Sequence, residues 1–110
     1  MPSLRIATYN VEWMNNLFVK GQAELRTKPG KGMGRFPSDP MKVAERIAGV
    51  MKGIDAHIIG VQEGPARLNQ IQFFCDEFLD GRYKASGIES GSQSIYTLVR
   101  DDCPVVATPY

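Results

Sequence analysis

The sequence predicts an α/β fold, and three observations carry that prediction. β-prone and helix-periodic segments alternate along the chain, the run from Ala56 to Val61 is apolar on both faces as a central strand is, and Pro and Gly fall at segment ends. The predicted order is strand, long loop, helix, strand, helix, strand, strand, without an internal repeat. At 110 residues the chain has the length of one domain around one core.

The first strand is expected over 4–10, where Leu4, Ile6 and Thr8 alternate with Arg5, Ala7 and Tyr9 and the run meets Asn10, a strand-ending residue type. Residues 15–39 have no sustained apolar period and are rich in Gly, Pro and Lys, which predicts a long loop. The first helix follows from Ser38-Asp39-Pro40, an N-cap candidate with proline at the first helical position. Val43, Ile47, Val50 and Met51 then keep helical spacing until Gly53. After the buried strand at 56–61, Pro65 opens a second helix, in which Leu68, Ile71, Phe74, Cys75, Phe78 and Leu79 are periodic up to Gly81. Strands near 82–88 and 94–100 are joined by a turn containing Ser90-Gly91-Ser92.

Hydrophobic residues at 43% and charged residues at 23% match globular averages and exclude a disordered or low-complexity chain. A formal net charge of +1 excludes whole-protein attraction to nucleic acid or membrane, so any basic feature is local. It is local: Lys20, Arg26, Lys28, Lys31 and Arg35 face only Glu24 and Asp39 within 15–39. No apolar run approaches the roughly 20 residues of a membrane span, and the amino terminus lacks a signal-peptide apolar core, so a soluble cytoplasmic protein without a membrane span is expected. Cys75 and Cys103 lack the C-x-x-C spacing of zinc or redox sites and are expected to be core thiols.

Candidate chemistry sits at strand ends. Asn10 and Glu63 each fall at the carboxyl end of a predicted buried strand, where open α/β sheets place ligands. An amide and a carboxylate oxygen beside a basic loop suit Mg²⁺ (or Mn²⁺), which takes one or two protein carboxylates and keeps waters. The competing reading makes Asn10 a turn residue and Glu63 a carboxylate favoured at a helix N-terminus. Lys28, Lys31 and Arg35 in the loop, and Arg100 at the end of the last strand, are candidate contacts to substrate phosphate. The alternatives are a solvated insertion and an ion-paired arginine. The stretch Pro29 to Arg35 lacks the spacing of a Walker phosphate loop.

Leu4 to Trp13, with Asn10-Val11, and Asp55 to Gly64, with Gln62-Glu63, are separated by an Asp-Pro-capped helix and followed by Ser94-Ile95-Tyr96-Thr97-Leu98-Val99-Arg100. Together they resemble the opening motifs of the endonuclease/exonuclease/phosphatase superfamily, which includes exonuclease III-like and deoxyribonuclease I-like enzymes. The resemblance implies a four-layer α-β-β-α sandwich of which residues 1–110 supply the amino-terminal half. It further implies a divalent-metal-dependent phosphoesterase, most simply a nuclease acting on DNA or RNA, with Glu63 a metal ligand and Asn10 holding the site network. The family's Asp-x-Asn and Ser-Asp-His motifs are not in this chain, whose one histidine, His57, stands where relatives often have Asp. The missing carboxy-terminal half is therefore an implied partner, and the chain alone is expected to be inactive. Its sheet is expected to leave apolar residues among Ile6, Ile58, Val61, Leu98 and Val99 without a partner layer. A non-enzymatic module, binding a phosphate-bearing ligand or a partner chain, is the other function class.

Overall fold

The computed structural model describes residues 3–11, 14–26, 40–89 and 94–104. Strand β1 (Ile6–Asn10) leads through a short 3₁₀ helix (Met14–Leu17) toward helix α1 (Pro40–Ile54). Then come β2 (Ile58–Gly64), α2 (Leu68–Phe78), β3 (Tyr83–Ile88) and β4 (Ser94–Arg100). The strands form one mixed sheet in the order β1-β2-β4-β3, with β1 and β2 parallel and the other pairs antiparallel. No helix among the described residues is long and apolar enough to cross a membrane.

Period-two alternation divides the sheet into two faces. On one face Ala7, Ile59, Leu98 and Ala85 form a cross-strand row. There Ile59, Val61, Tyr96 and Leu98 are buried with Ile47, Met51, Ile71 and Phe74 of the helices. On the other face Ile6, Ile58, Val99 and Lys84 form one row, Thr8, Gly60, Thr97 and Ser86 the next, and Ile95 pairs with Ile88 beyond them. Ile6, Ile95 and Ile88 are 64%, 66% and 73% exposed. Among the described residues the expected uncovered face therefore exists, but its membership is corrected: Ile6, Ile58 and Val99 belong to it, while Val61 and Leu98 lie under the helices.

Helix α1 begins at Pro40 as expected and runs past Gly53 to Ile54. Its end is set by Asp55, which takes the left-handed conformation (φ 54°) and donates its N–H to the Met51 carbonyl at 3.1 Å. Helix α2 starts at Leu68, three residues after Pro65. The delay has a cause: the Pro65 carbonyl accepts from the Tyr96 hydroxyl at 2.8 Å and the Ala66 N–H donates to Asn15 Oδ1 at 3.0 Å, so this stretch is committed elsewhere. The first helical donors are then met by side chains, Arg67 N–H by Gln70 Oε1 and Leu68 N–H by Glu89 Oε2, both at 3.0 Å.

The predicted loop at 15–39 is anchored to the body in its described part. Met14, Leu17 and Phe18 are core residues, and the Phe18 ring meets Phe73 edge-on at 6.3 Å. A bridge between Phe18 and Leu25 folds this segment back on itself. Buried Gln70 donates from Nε2 to the Val19 and Gln22 carbonyls at 3.4 and 3.1 Å, so one α2 side chain holds both its own helix start and the segment packed on it. Residues 27–39 and the turn at 90–93 lie outside the described residues.

An ion-pair network closes the end of the sheet where β2 begins and β4 ends. Arg100, 7% exposed in its side chain, donates to Asp55 Oδ1 and Asp102 Oδ1, each at 2.5 Å, while Arg5 donates to Asp55 Oδ2 at 2.7 Å. The Arg100 guanidinium bond holds both the Asp55 and Asp102 carboxyls below their ordinary value of 3.8. Folded-state values below the unfolded ones mean that this contribution is present above about pH 4 and is lost as pH falls through the folded values. Arg100→Met is accordingly expected to lower the melting temperature at pH 7 and to flatten its decline between pH 5 and pH 2.5. Thermal melts across that range check this, and an acid decline as steep as in the parent chain refutes it.

Candidate functional site

Parallel pairing of β1 with β2 brings the two predicted residues to one end of the sheet. Asn10 lies in register with Gln62, and the Val11 N–H donates to the Gln62 carbonyl at 3.0 Å, so Glu63 follows one residue beyond. Asn10 and Gln62 are exposed on the uncovered face and Glu63 is half-buried.

Glu63 is not in ordinary strand conformation. The pairing of β2 with β4 shifts register between Val61 and Gly64, and Glu63 sits in that irregularity with φ 57°. Left-handed backbone costs a residue with a β-carbon roughly 1–2 kcal/mol, and such positions collect where function demands them. The surrounding contacts hold it there. Gly64, next in the chain, packs so tightly that a β-carbon would stand 2.8 Å from Tyr96 Cδ2 and 3.1 Å from the Ser94 carbonyl oxygen.

A carboxylate and a carboxamide oxygen at adjacent strand ends are donor types that a hard cation takes. Among the described residues no group of three or more His, Cys, Asp or Glu is gathered to hold a metal, so Glu63 and Asn10 would supply at most part of a coordination shell.

The remaining candidates are placed elsewhere. Arg100 lies at the opposite end of the sheet from Glu63, because β4 runs antiparallel to β2 and the Arg100 N–H donates to the His57 carbonyl at 2.8 Å. Its guanidinium is bound to Asp55 and Asp102, the ion-paired alternative rather than a phosphate contact at the strand ends. His57 is at that far end too, its Nδ1 accepting the Arg5 N–H at 3.0 Å, and so is no base for Glu63. Lys28, Lys31 and Arg35 lie outside the described residues. Cys75 is buried, which pushes its thiol up to about 12 and removes it as a nucleophile; Cys103 is half-buried. A surface concavity of about 800 Å³ runs along β3 past Gln72, Arg82, Tyr83 and Lys84, at the sheet edge away from β1.

Two residues were not singled out as functional by sequence reasoning. Gln62 shares a face with Asn10, and register alone reveals it. Tyr96 supports the strand end that carries Glu63, and its only trace in the sequence is Gly64, since a glycine in a strand marks a close approach. No family model, curated protein or solved structure matches the chain.

Proposed function

We propose that the chain is the amino-terminal half of a divalent-metal-dependent phosphoesterase, acting on phosphodiesters such as DNA or RNA, and that its sheet and two helices form one half of a four-layer α-β-β-α sandwich. The observation that carries the reading is that Asn10 and Glu63 both lie at the carboxyl ends of two adjacent parallel strands, with Glu63 in a costly left-handed backbone. A sheet covered by helices on one face and uncovered on the other supports the architectural part.

Glu63 would hold Mg²⁺ or Mn²⁺ through its carboxylate, and Asn10 would orient the site through its carboxamide. The bound cation would supply Lewis-acid polarisation of a phosphate oxygen. Asn10 and Gln62, exposed on the same face, are placed to hydrogen-bond phosphate or a further ligand from a second layer. No histidine lies at this end of the sheet among the described residues, because His57 is at the other end of β2. The reading therefore assigns water activation by a histidine to groups outside the described residues.

Mn²⁺ titration of the chain, followed by electron paramagnetic resonance, tests the reading. One weak site is expected, weakened at least tenfold by Glu63→Gln, a change consistent with loss of a ligand, with the melting temperature little changed. Mn²⁺ binding that is the same in the parent chain and in Glu63→Gln overturns the assignment.

A further inference from the structure

Tyr96 is the largest fully buried side chain of the sheet, and its surroundings are unusual. It pairs across β4 with Val61 on one side and Gly87 on the other. Its ring is pressed against two glycines at once. A β-carbon on Gly64 would lie 2.8 Å from Cδ2, and one on Gly87 would lie 2.8 Å from Cδ1 and 2.6 Å from the Ile95 carbonyl oxygen. Both separations are shorter than side-chain carbons tolerate, so the ring occupies space that only glycine leaves open. Beyond the ring, the hydroxyl donates to the Pro65 carbonyl at 2.8 Å.

These contacts bracket Glu63. Upstream, the Gln62 carbonyl is fixed by the Val11 N–H at 3.0 Å. Downstream, Gly64 is held against the ring, Pro65 by the hydroxyl, and Ala66 by Asn15 Oδ1 at 3.0 Å. A left-handed glutamate persists only where its neighbours over-determine the backbone. We infer that Tyr96 is a positioning residue for Glu63: its ring between Gly64 and Gly87 and its hydroxyl on Pro65 keep the exit of β2 in the irregular register that puts Glu63 in the left-handed conformation and sets the direction of its carboxylate. The consequence for metal affinity rests on the proposed role of Glu63 as a ligand; the consequence for backbone conformation does not.

The test compares Tyr96→Phe with Tyr83→Phe. Tyr83 is also a buried strand tyrosine whose hydroxyl donates to a backbone carbonyl, that of Ala56, at the other end of the sheet. The two variants lose the same kind of bond, and only one of them lies beside Glu63. Two readouts are taken: the Cα and Cβ chemical shifts of Glu63, which differ between left-handed and extended backbone, and Mn²⁺ affinity. Tyr96→Phe is expected to move the Glu63 shifts and to weaken Mn²⁺ about tenfold, the scale of an outer-shell loss, while Tyr83→Phe does neither. Unchanged Glu63 shifts in Tyr96→Phe, or equal changes in both variants, overturn the inference. Shifts that move only in Tyr96→Phe, in a chain whose Mn²⁺ binding does not depend on Glu63, uphold the positioning role and remove the metal reading instead.

Discussion

Lysine at Ile6 and Ile95 is expected to convert the 110-residue chain from a self-associating species into a monomer. Both isoleucines project from the face of the sheet that no described helix covers, Ile6 on the edge strand β1 and Ile95 at the far end of the inner strand β4, and both are about two-thirds exposed. Four strands about 4.8 Å apart and three side-chain rows deep present on the order of 400 Å² of face. Two such faces, with side-chain relief included, bury roughly 1,000 Å², near the lower limit for a specific interface. The charge on the face is small: Lys84 is the one ionic residue among its first two rows. The partner expected for it in solution is a second copy. Light scattering over a concentration series reads the result. Association at tens of micromolar in the parent chain and its loss in the Ile6→Lys, Ile95→Lys chain, with an unchanged melt, are expected. A parent chain that stays monomeric shows that this face is tolerated in water. In a longer chain the proposed second sheet would occupy the same surface.

Glu63→Gly separates the two readings of Glu63 most sharply. Glycine relieves a left-handed cost of roughly 1–2 kcal/mol and returns about 0.5–1 kcal/mol through its freedom in the unfolded chain. The two backbone terms alone net a gain of about 0.5 kcal/mol, a rise of a few degrees in melting temperature, with complete loss of Glu63-dependent Mn²⁺ binding. Measured in the Ile6→Lys, Ile95→Lys background, the melt is free of association. If Glu63 were present to complement the N-terminus of α2, the same substitution would lower the melting temperature. The sign of one shift therefore decides whether the carboxylate stands where it does for stability or in spite of it.

The strands were legible because alternation and apolar runs are local, although β1 covers 6–10 and not 4–10, and β2 covers 58–64 and not 56–61, so that Glu63 lies inside β2. Strand β4 runs from Ser94 to Arg100 as its pattern predicts, with no glycine or proline to blur its ends. The start of α2 was less legible, because it depends on bonds from Tyr96 and Asn15, residues 31 and 51 positions away. The anchoring of the 14–26 segment was legible at Phe18, an aromatic in a basic, glycine-rich stretch, and the i, i+3, i+4 spacing of Met14, Leu17 and Phe18 marks the short apolar patch that is buried. The candidate site divides in the same way. Strand ends place Asn10 and Glu63, whereas the left-handed turn at Glu63 arises from cross-strand pairing and could not be seen along the chain.

The two borders of the sheet are finished differently. At β3 the Gln72 carboxamide donates to the Tyr83 carbonyl at 3.0 Å and accepts from the Ala85 N–H at 2.8 Å, so a helix side chain occupies the hydrogen-bonding positions that an added strand would use. At β1, the other end of the strand order, the described residues contain no such plug. A strand added at β3 would first have to break both of these bonds, so Gln72 works against edge-to-edge growth through this border.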